Sequence, residues 1–318
     1  MPHVLVAGKI HAAGLEVLTS APGVTFELVN EVSFETYAPR LPEADALLIR
    51  TQPLPAAAIA SAPRLAIVSR HGVGFDAVDV AALNARRIPL TIVGDVNSRA
   101  VAEHTLMLML AAARRSVAHD HAVRQGSWAL RNQFETTELD GKTLLLIGFG
   151  RIGRRVAQLA QAFGMTVMAH DPYAPDIVDV IPAPNIAAAL PLADYVSLHM
   201  PGAKAAILGA DELAVMKPSA TIINAARGGL VDEAALDHAL RSGRLAAAAL
   251  DVFEAEPPQP GAGILDNPRV TVSPHSAGLT DECAARMATS AVENILNLFA
   301  GRLDRRLVVN ADAIGWPR

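Results

Sequence analysis

The sequence predicts an α/β protein built as two doubly wound, parallel-sheet units, and three observations carry that expectation. Short apolar, β-rich runs alternate with helical patterns almost from end to end, the βαβα rhythm of parallel sheets covered on both faces by helices. At 318 residues and 51% hydrophobic composition, the chain exceeds what one ordinary core absorbs. A strand-glycine-helix junction of the kind that usually opens such a unit stands near the middle, which implies that one unit is inserted into another.

Taken in order, HVLVAG, ADALLIRT, LAIVSRHG and PLTIVG read as strands, with VAALNAR among the helical links. A long amphipathic helix follows from about Arg99 to Arg124, then a polar loop containing tryptophan. The second series is TLLLIGFG, TVMAHDP, DYVSLHMP, ATIINAARG, AAAALDVF and RVTVSPH. Helix Asp281 to Ala300 carries the return. The crossings are expected near Val96 to Arg99 and Cys283 to Met287, giving a discontinuous unit of residues 1–97 and 286–318 around a unit of 98–285. Two crossings suit a hinge, and the cleft between the units is the expected place for a small ligand. The Pro-rich DVFEAEPPQPGAG reads as an exposed, ordered loop.

Charge narrows the partners. With 27 basic against 32 acidic residues, no broad cationic field is offered to nucleic acid or to an anionic membrane. The apolar helix around Thr105 to Ala113 is too short to span a bilayer. The lone Cys283 forms no internal disulfide and reads as inert packing; with a Met-Pro-His start that lacks a secretory pattern, it favours a reducing cytoplasm. One cysteine and no HExxH give no support to a metal centre.

The middle junction carries the first chemistry. A buried strand, Thr143 to Ile147, delivers Gly148-Phe-Gly150-Arg151-Ile152-Gly153 into a helix. Gly148 permits the tight turn, Gly150 lets a pyrophosphate approach the backbone, and Gly153 allows close packing of helix and strand, while the helix N-terminus and Arg151 attract phosphate charge. Asp171 follows the next strand, about 20 residues on, where a carboxylate accepts bonds from the ribose hydroxyls of NAD and repels the 2′-phosphate of NADP. A bare GxGxxG is often only a Gly-rich turn; the strand, helix and acid around this one make it a Rossmann-type fingerprint.

Reducing a carbonyl with a nicotinamide needs a proton donor and a cation to hold an anionic substrate. Arg227, beyond ATIIN and among small residues, offers a planar fork to a carboxylate. His275 stands similarly at the end of VTVSP. A carboxylate on one imidazole nitrogen would fix its tautomer and favour its protonated form. Spacing alone does not choose between Glu254 and Glu256, and a solvated loop acid is the plainer reading of either. Among the other histidines, His104 reads as a hinge or packing residue, His199 as part of the cofactor pocket, and His119 and His121 as exposed helix positions.

Taken in order, SRHGVGFDAVD, NSRAVAEHT, GFGRIG with Asp171, NAARGGLVDE, DVFEAEP and SPHSAG resemble the D-isomer specific 2-hydroxyacid dehydrogenases over nearly the whole chain. The resemblance implies a Rossmann nucleotide domain inserted into a discontinuous, flavodoxin-like substrate domain, and a homodimer built largely by the nucleotide domain. It implies the catalytic set Arg227, Glu256 and His275, the acid before Pro257 being the matching one. It further implies substrate contacts from the backbone at Val73 and Gly74, and nicotinamide-side positions at Met200, Pro201, Ala225, Ala226, Asp251 and Gly278. Arg50 and Arg70 resemble phosphate-binding arginines of phosphoglycerate dehydrogenases, and read equally well as surface charges. The expected activity is NAD(H)-dependent interconversion of a 2-oxo acid and a D-2-hydroxy acid. A short-form phosphoglycerate dehydrogenase is an alternative, since the chain closes soon after the return helix, with no room for a regulatory extension. A formate dehydrogenase is disfavoured by Glu256, where that branch carries glutamine. An NADH-sensing corepressor-like binding protein is the alternative from another class.

Overall fold

The computed structural model describes residues 1–31, 33–174, 176–261 and 263–317. The backbone divides into two compact units, Met1–Asn97 with Leu279–Arg318, and Ser98–Gly278.

In the first unit five parallel strands, β1 (His3–Ala7), β2 (Thr25–Val29), β3 (Ala46–Ile49), β4 (Ile67–Arg70) and β5 (Leu90–Thr91), stand in the order β2-β1-β3-β4-β5. Strand β2 was not among the expected strands. Its TFELV is only half buried, as befits an edge strand, so it lacks the continuous apolar run of its neighbours. Helices Ala12–Ser20 and Asp281–Phe299 cross closely because Gly14 has no side chain: a Cβ there would lie 2.7 Å from that of Ala288. The long helix also ties to the sheet through the buried Ser69 Oγ, which donates to the Ala291 carbonyl at 2.7 Å.

The second unit holds β6 (Thr143–Ile147), β7 (Thr166–His170), β8 (Ile181–Pro182), β9 (Tyr195–Leu198), β10 (Thr221–Asn224), β11 (Ala247–Leu250) and β12 (Val270–Val272), ordered β12-β11-β10-β9-β6-β7-β8, all parallel. Why these strands read as unbroken apolar runs is visible in the packing. Leu145, Ile147, Val196, Leu198, Ile222 and Ala248 enter the core on one face. Leu144, Leu146, Tyr195, Ile223 and Ala249 enter the core on the other. Period-two alternation thus feeds two cores instead of one core and solvent. The strand order reverses direction between β6 and β9, the switch point where α/β sheets bind ligands beyond the carboxyl ends of their strands.

Two expected boundaries are corrected. The single helix from Arg99 to Arg124 is two helices, Ser98–Ala113 and Ser116–Arg124. The Ala113 carbonyl, which a continuing helix would bond four residues on, accepts instead the Thr137 N–H at 2.9 Å. Arg115 then takes a left-handed conformation, φ 47°, with its guanidinium on Glu135. The return crossing falls between residues 278 and 279, not 285 and 286. Helix Asp281–Phe299 begins cleanly just after it, capped by Thr280 Oγ1 on the Cys283 N–H, and an unbroken helical ladder lies wholly within one unit.

Candidate active site

The glycine loop leaves β6 at the switch point. Gly148 has φ 99°, and a Cβ on it would lie 2.5 Å from the His199 carbonyl oxygen, so only glycine makes this turn. A Cβ on Gly153 would overlap the Gly148 carbonyl, which is how closely the helix start packs on the turn. Gly150 faces open space and caps helix Arg151–Ala162 without using a side chain, leaving its first-turn N–H groups available to a ligand. Arg151 is exposed at that end, and Ile152 packs inward against the core. The Asp171 carboxylate, just past β7, accepts the Phe149 N–H at 2.8 Å and the Tyr173 N–H at 2.9 Å, so it braces the loop while each oxygen keeps a lone pair. An open cradle at Gly150, a helix N-terminus with no side-chain cap and a fixed carboxylate fit a dinucleotide.

His199, just past β9, is half buried, with Nε2 2.8 Å from Ser197 Oγ. Burial pushes its pKa down to about 4, which favours the uncharged imidazole near neutrality. Met200 and Pro201 follow it at the same edge.

Beyond β10, Asn224 shapes the loop bearing Arg227. Its Oδ1 accepts the Ala226 N–H at 3.1 Å and its Nδ2 donates to the Arg227 carbonyl at 2.9 Å. Gly228 matters as well, since a Cβ there would overlap the Phe253 carbonyl and push this loop off the one after β11. The sequence reading overlooked Gly228; the Gly-Gly pair after Arg227 was the available signal. The Arg227 guanidinium is half buried and donates to the Ala226 carbonyl at 2.6 Å.

In the loop after β11, the two candidate glutamates separate. Glu254 accepts the Glu233 N–H at 3.0 Å, at the start of helix Glu233–Arg241. Glu256 accepts the Phe253 N–H at 3.1 Å through one oxygen, and its other oxygen lies 2.7 Å from His275 Nδ1. Partial burial pushes the Glu256 carboxyl up, but the His275 hydrogen bond and charge outweigh it and hold the group below the ordinary glutamate range. Asp251, at the root of this loop, is fully buried. The loops bearing Arg227, Asp251 with Glu256, and His275 therefore leave the carboxyl ends of three neighbouring strands, β10, β11 and β12. Gly278 closes the last of them.

In the first unit Arg50 and Arg70 follow and end the adjacent strands β3 and β4. Arg50 donates to the Lys9 carbonyl at 2.7 Å and Arg70 to the His71 carbonyl at 3.2 Å. The loop through Val73 and Gly74 comes directly after, half exposed.

Among known proteins, the family model described as D-isomer specific 2-hydroxyacid dehydrogenase, NAD binding domain, matches residues 106–277. A D-3-phosphoglycerate dehydrogenase of Methanocaldococcus jannaschii is 36% identical over 97% of the chain, which spans only 59% of that relative's length. A glyoxylate reductase of Aeropyrum pernix is 38% identical, with 96% of each chain covered. The crystal structure of an NADPH-dependent glyoxylate/hydroxypyruvate reductase from Sinorhizobium meliloti, in complex with citrate, superposes with a TM-score of 0.85 at 30% identity, covering 94% of this chain and 95% of that one.

Proposed function

Because the chain belongs to the D-isomer specific 2-hydroxyacid dehydrogenase family, we propose that it interconverts a small 2-oxo acid and the corresponding D-2-hydroxy acid with NAD(H). The observation that carries this reading is the 2.7 Å contact of His275 Nδ1 with Glu256, on the loops after β12 and β11, the two strands that follow the Arg227-bearing β10 in the sheet.

With Glu256 on Nδ1, the imidazole presents Nε2 as its proton-carrying atom. From there the ring hands a proton to the carbonyl oxygen as that oxygen gains negative charge, and takes it back in the oxidative direction. Arg227 grips the substrate carboxylate and carbonyl oxygens with its planar fork. A bound nicotinamide coenzyme supplies or accepts the hydride. Gly148, Gly150, Arg151, Ile152 and Gly153 hold its pyrophosphate, and Asp171 accepts its ribose hydroxyls and opposes a 2′-phosphate, so NAD is preferred to NADP. Met200, Pro201, Ala225, Ala226, Asp251 and Gly278 line its nicotinamide side. Backbone N–H groups at Val73 and Gly74 receive the substrate carboxylate, and Arg50 and Arg70 read a distal anion when the substrate carries one.

A homodimer and a cytoplasmic setting complete the reading. Val117, Trp128 and Phe134, 62%, 64% and 89% exposed, put an apolar face on the segment after the first long helix that a second copy would cover. Light scattering should return about twice 33.4 kDa.

The deciding experiment follows NADH and NADPH oxidation with glyoxylate, hydroxypyruvate, pyruvate, phenylpyruvate and phosphohydroxypyruvate. Turnover of the smaller acids with NADH is expected. Turnover of phosphohydroxypyruvate alone would make the protein a short-form phosphoglycerate dehydrogenase, the reading favoured by the M. jannaschii relative. Tight NADH binding with no turnover at all would make it a nucleotide sensor.

A further inference from the structure

His104 and Ser273 have no part in the chemistry described so far, yet they stand behind the turn that presents His275. That histidine has φ 50°, a left-handed conformation that a side chain rarely adopts, so its surroundings must hold it there. Asp251 does the holding. Its backbone carbonyl accepts the His275 N–H at 2.7 Å, Oδ1 accepts the Ser276 N–H at 2.9 Å and Oδ2 the Ala277 N–H at 2.9 Å. Three successive N–H groups are pinned by one residue, so the aim of the imidazole follows from the pose of a carboxylate with no solvent exposure. Burial pushes that carboxyl up, and the bonds from His104, Ser273, Ser276 and Ala277 outweigh it, keeping it ionised.

The pose of the carboxylate is set in turn from behind. Ser273 Oγ donates to Asp251 Oδ1 at 2.6 Å. A hydroxyl that donates in one direction accepts in another, and the group facing it is His104 Nε2, at 2.9 Å and itself 3.4 Å from Asp251 Oδ1. Donation therefore runs one way, from His104 Nε2–H to Ser273 and from Ser273 to Asp251. His104 belongs to helix Ser98–Ala113, so a rigid element anchors the far end of the chain of bonds.

We propose that His104 and Ser273 are positioning residues of the reaction, which through the Asp251 carboxylate hold the turn that aims His275 at its substrate. The proposal rests on the reading of His275 as proton donor. Ser273→Ala and His104→Leu break the chain of bonds; Ser273→Thr and His104→Gln preserve a hydroxyl and an N–H donor. The first pair should lower kcat about 10- to 100-fold, the scale of a misplacement of about 1 Å. They should also move the alkaline limb of the kcat/KM pH profile for 2-oxo acid reduction, where a proton donor is lost, and the ring-nitrogen NMR shifts of His275, and the second pair should restore most of each. Ser273→Ala removes a single oxygen, so it reports even where His104→Leu does not fold. Unmoved His275 shifts in Ser273→Ala overturn the proposal, as do moved shifts with unchanged kcat, or a loss of kcat that merely tracks the folded fraction. Normal turnover by His275→Ala would instead bring down the proton-donor reading, while unmoved shifts beside an inactive His275→Ala bring down this inference alone.

Discussion

At the scale of single residues, His275 and Glu256 are 19 positions apart in sequence yet share a 2.7 Å contact. His275→Ala should retain NADH binding, read by fluorescence titration, and lose turnover about 10²- to 10⁴-fold through loss of general acid catalysis. Arg227→Lys keeps the charge but not the fork; initial rates should show kcat/KM for the 2-oxo acid down by about tenfold or more, and an unchanged value would count against its role. The sequence named Arg227 and His275 because each follows an apolar strand among small neighbours. It could not choose between Glu254 and Glu256 by spacing, since both lie in one loop. The family resemblance pointed to Glu256, and the fold shows the physical distinction: each glutamate accepts one backbone N–H, but only the second oxygen of Glu256 lies against His275 Nδ1, at 2.7 Å.

Elements show where pattern suffices and where it does not. The strand–glycine–helix–acid unit is local, each part acting on near neighbours in the chain, and so it was readable in full. The long helix was misread because its terminator, the Thr137 N–H on the Ala113 carbonyl, comes from 24 residues away and leaves no mark in the helical pattern itself. Strand β2 was missed for the converse reason, a half-buried edge strand carrying too little apolar signal. Packing between elements makes its own prediction. Gly14→Ala would drive a methyl into Ala288 across two helices and should cost about 1–3 kcal/mol by urea denaturation, as overpacking does. An unaltered midpoint would mean that the helices separate freely.

For the whole molecule, buried and partnered carboxylates set the response to acid. Burial pushes Asp194 up, but the Lys217 hydrogen bond, the Thr143 N–H and nearby charge outweigh it and hold the group below the ordinary aspartate value of 3.8. Asp251 and Glu256 are depressed in the same sense. A group whose folded pKa lies below its unfolded one contributes stability that is complete above the unfolded value and is lost as pH falls through the folded value. The urea midpoint should therefore hold near neutrality and fall as pH drops below about 4, and Asp194→Asn should flatten that fall. A midpoint that rose on acidification would contradict the sign.

By itself the amino-acid order determined the fold class, the glycine loop and which side chains stand at the strand ends, because strand periodicity, glycine turns and strand-end side chains express themselves over a few residues. Only tertiary structure decided which carboxylate meets the imidazole, where the long helix breaks, and that His104, 171 residues before His275, stands behind its turn. Those outcomes rest on hydrogen-bond partners far apart in the chain; at the site a parallel sheet brings them together, because its neighbouring strands are joined by long crossovers.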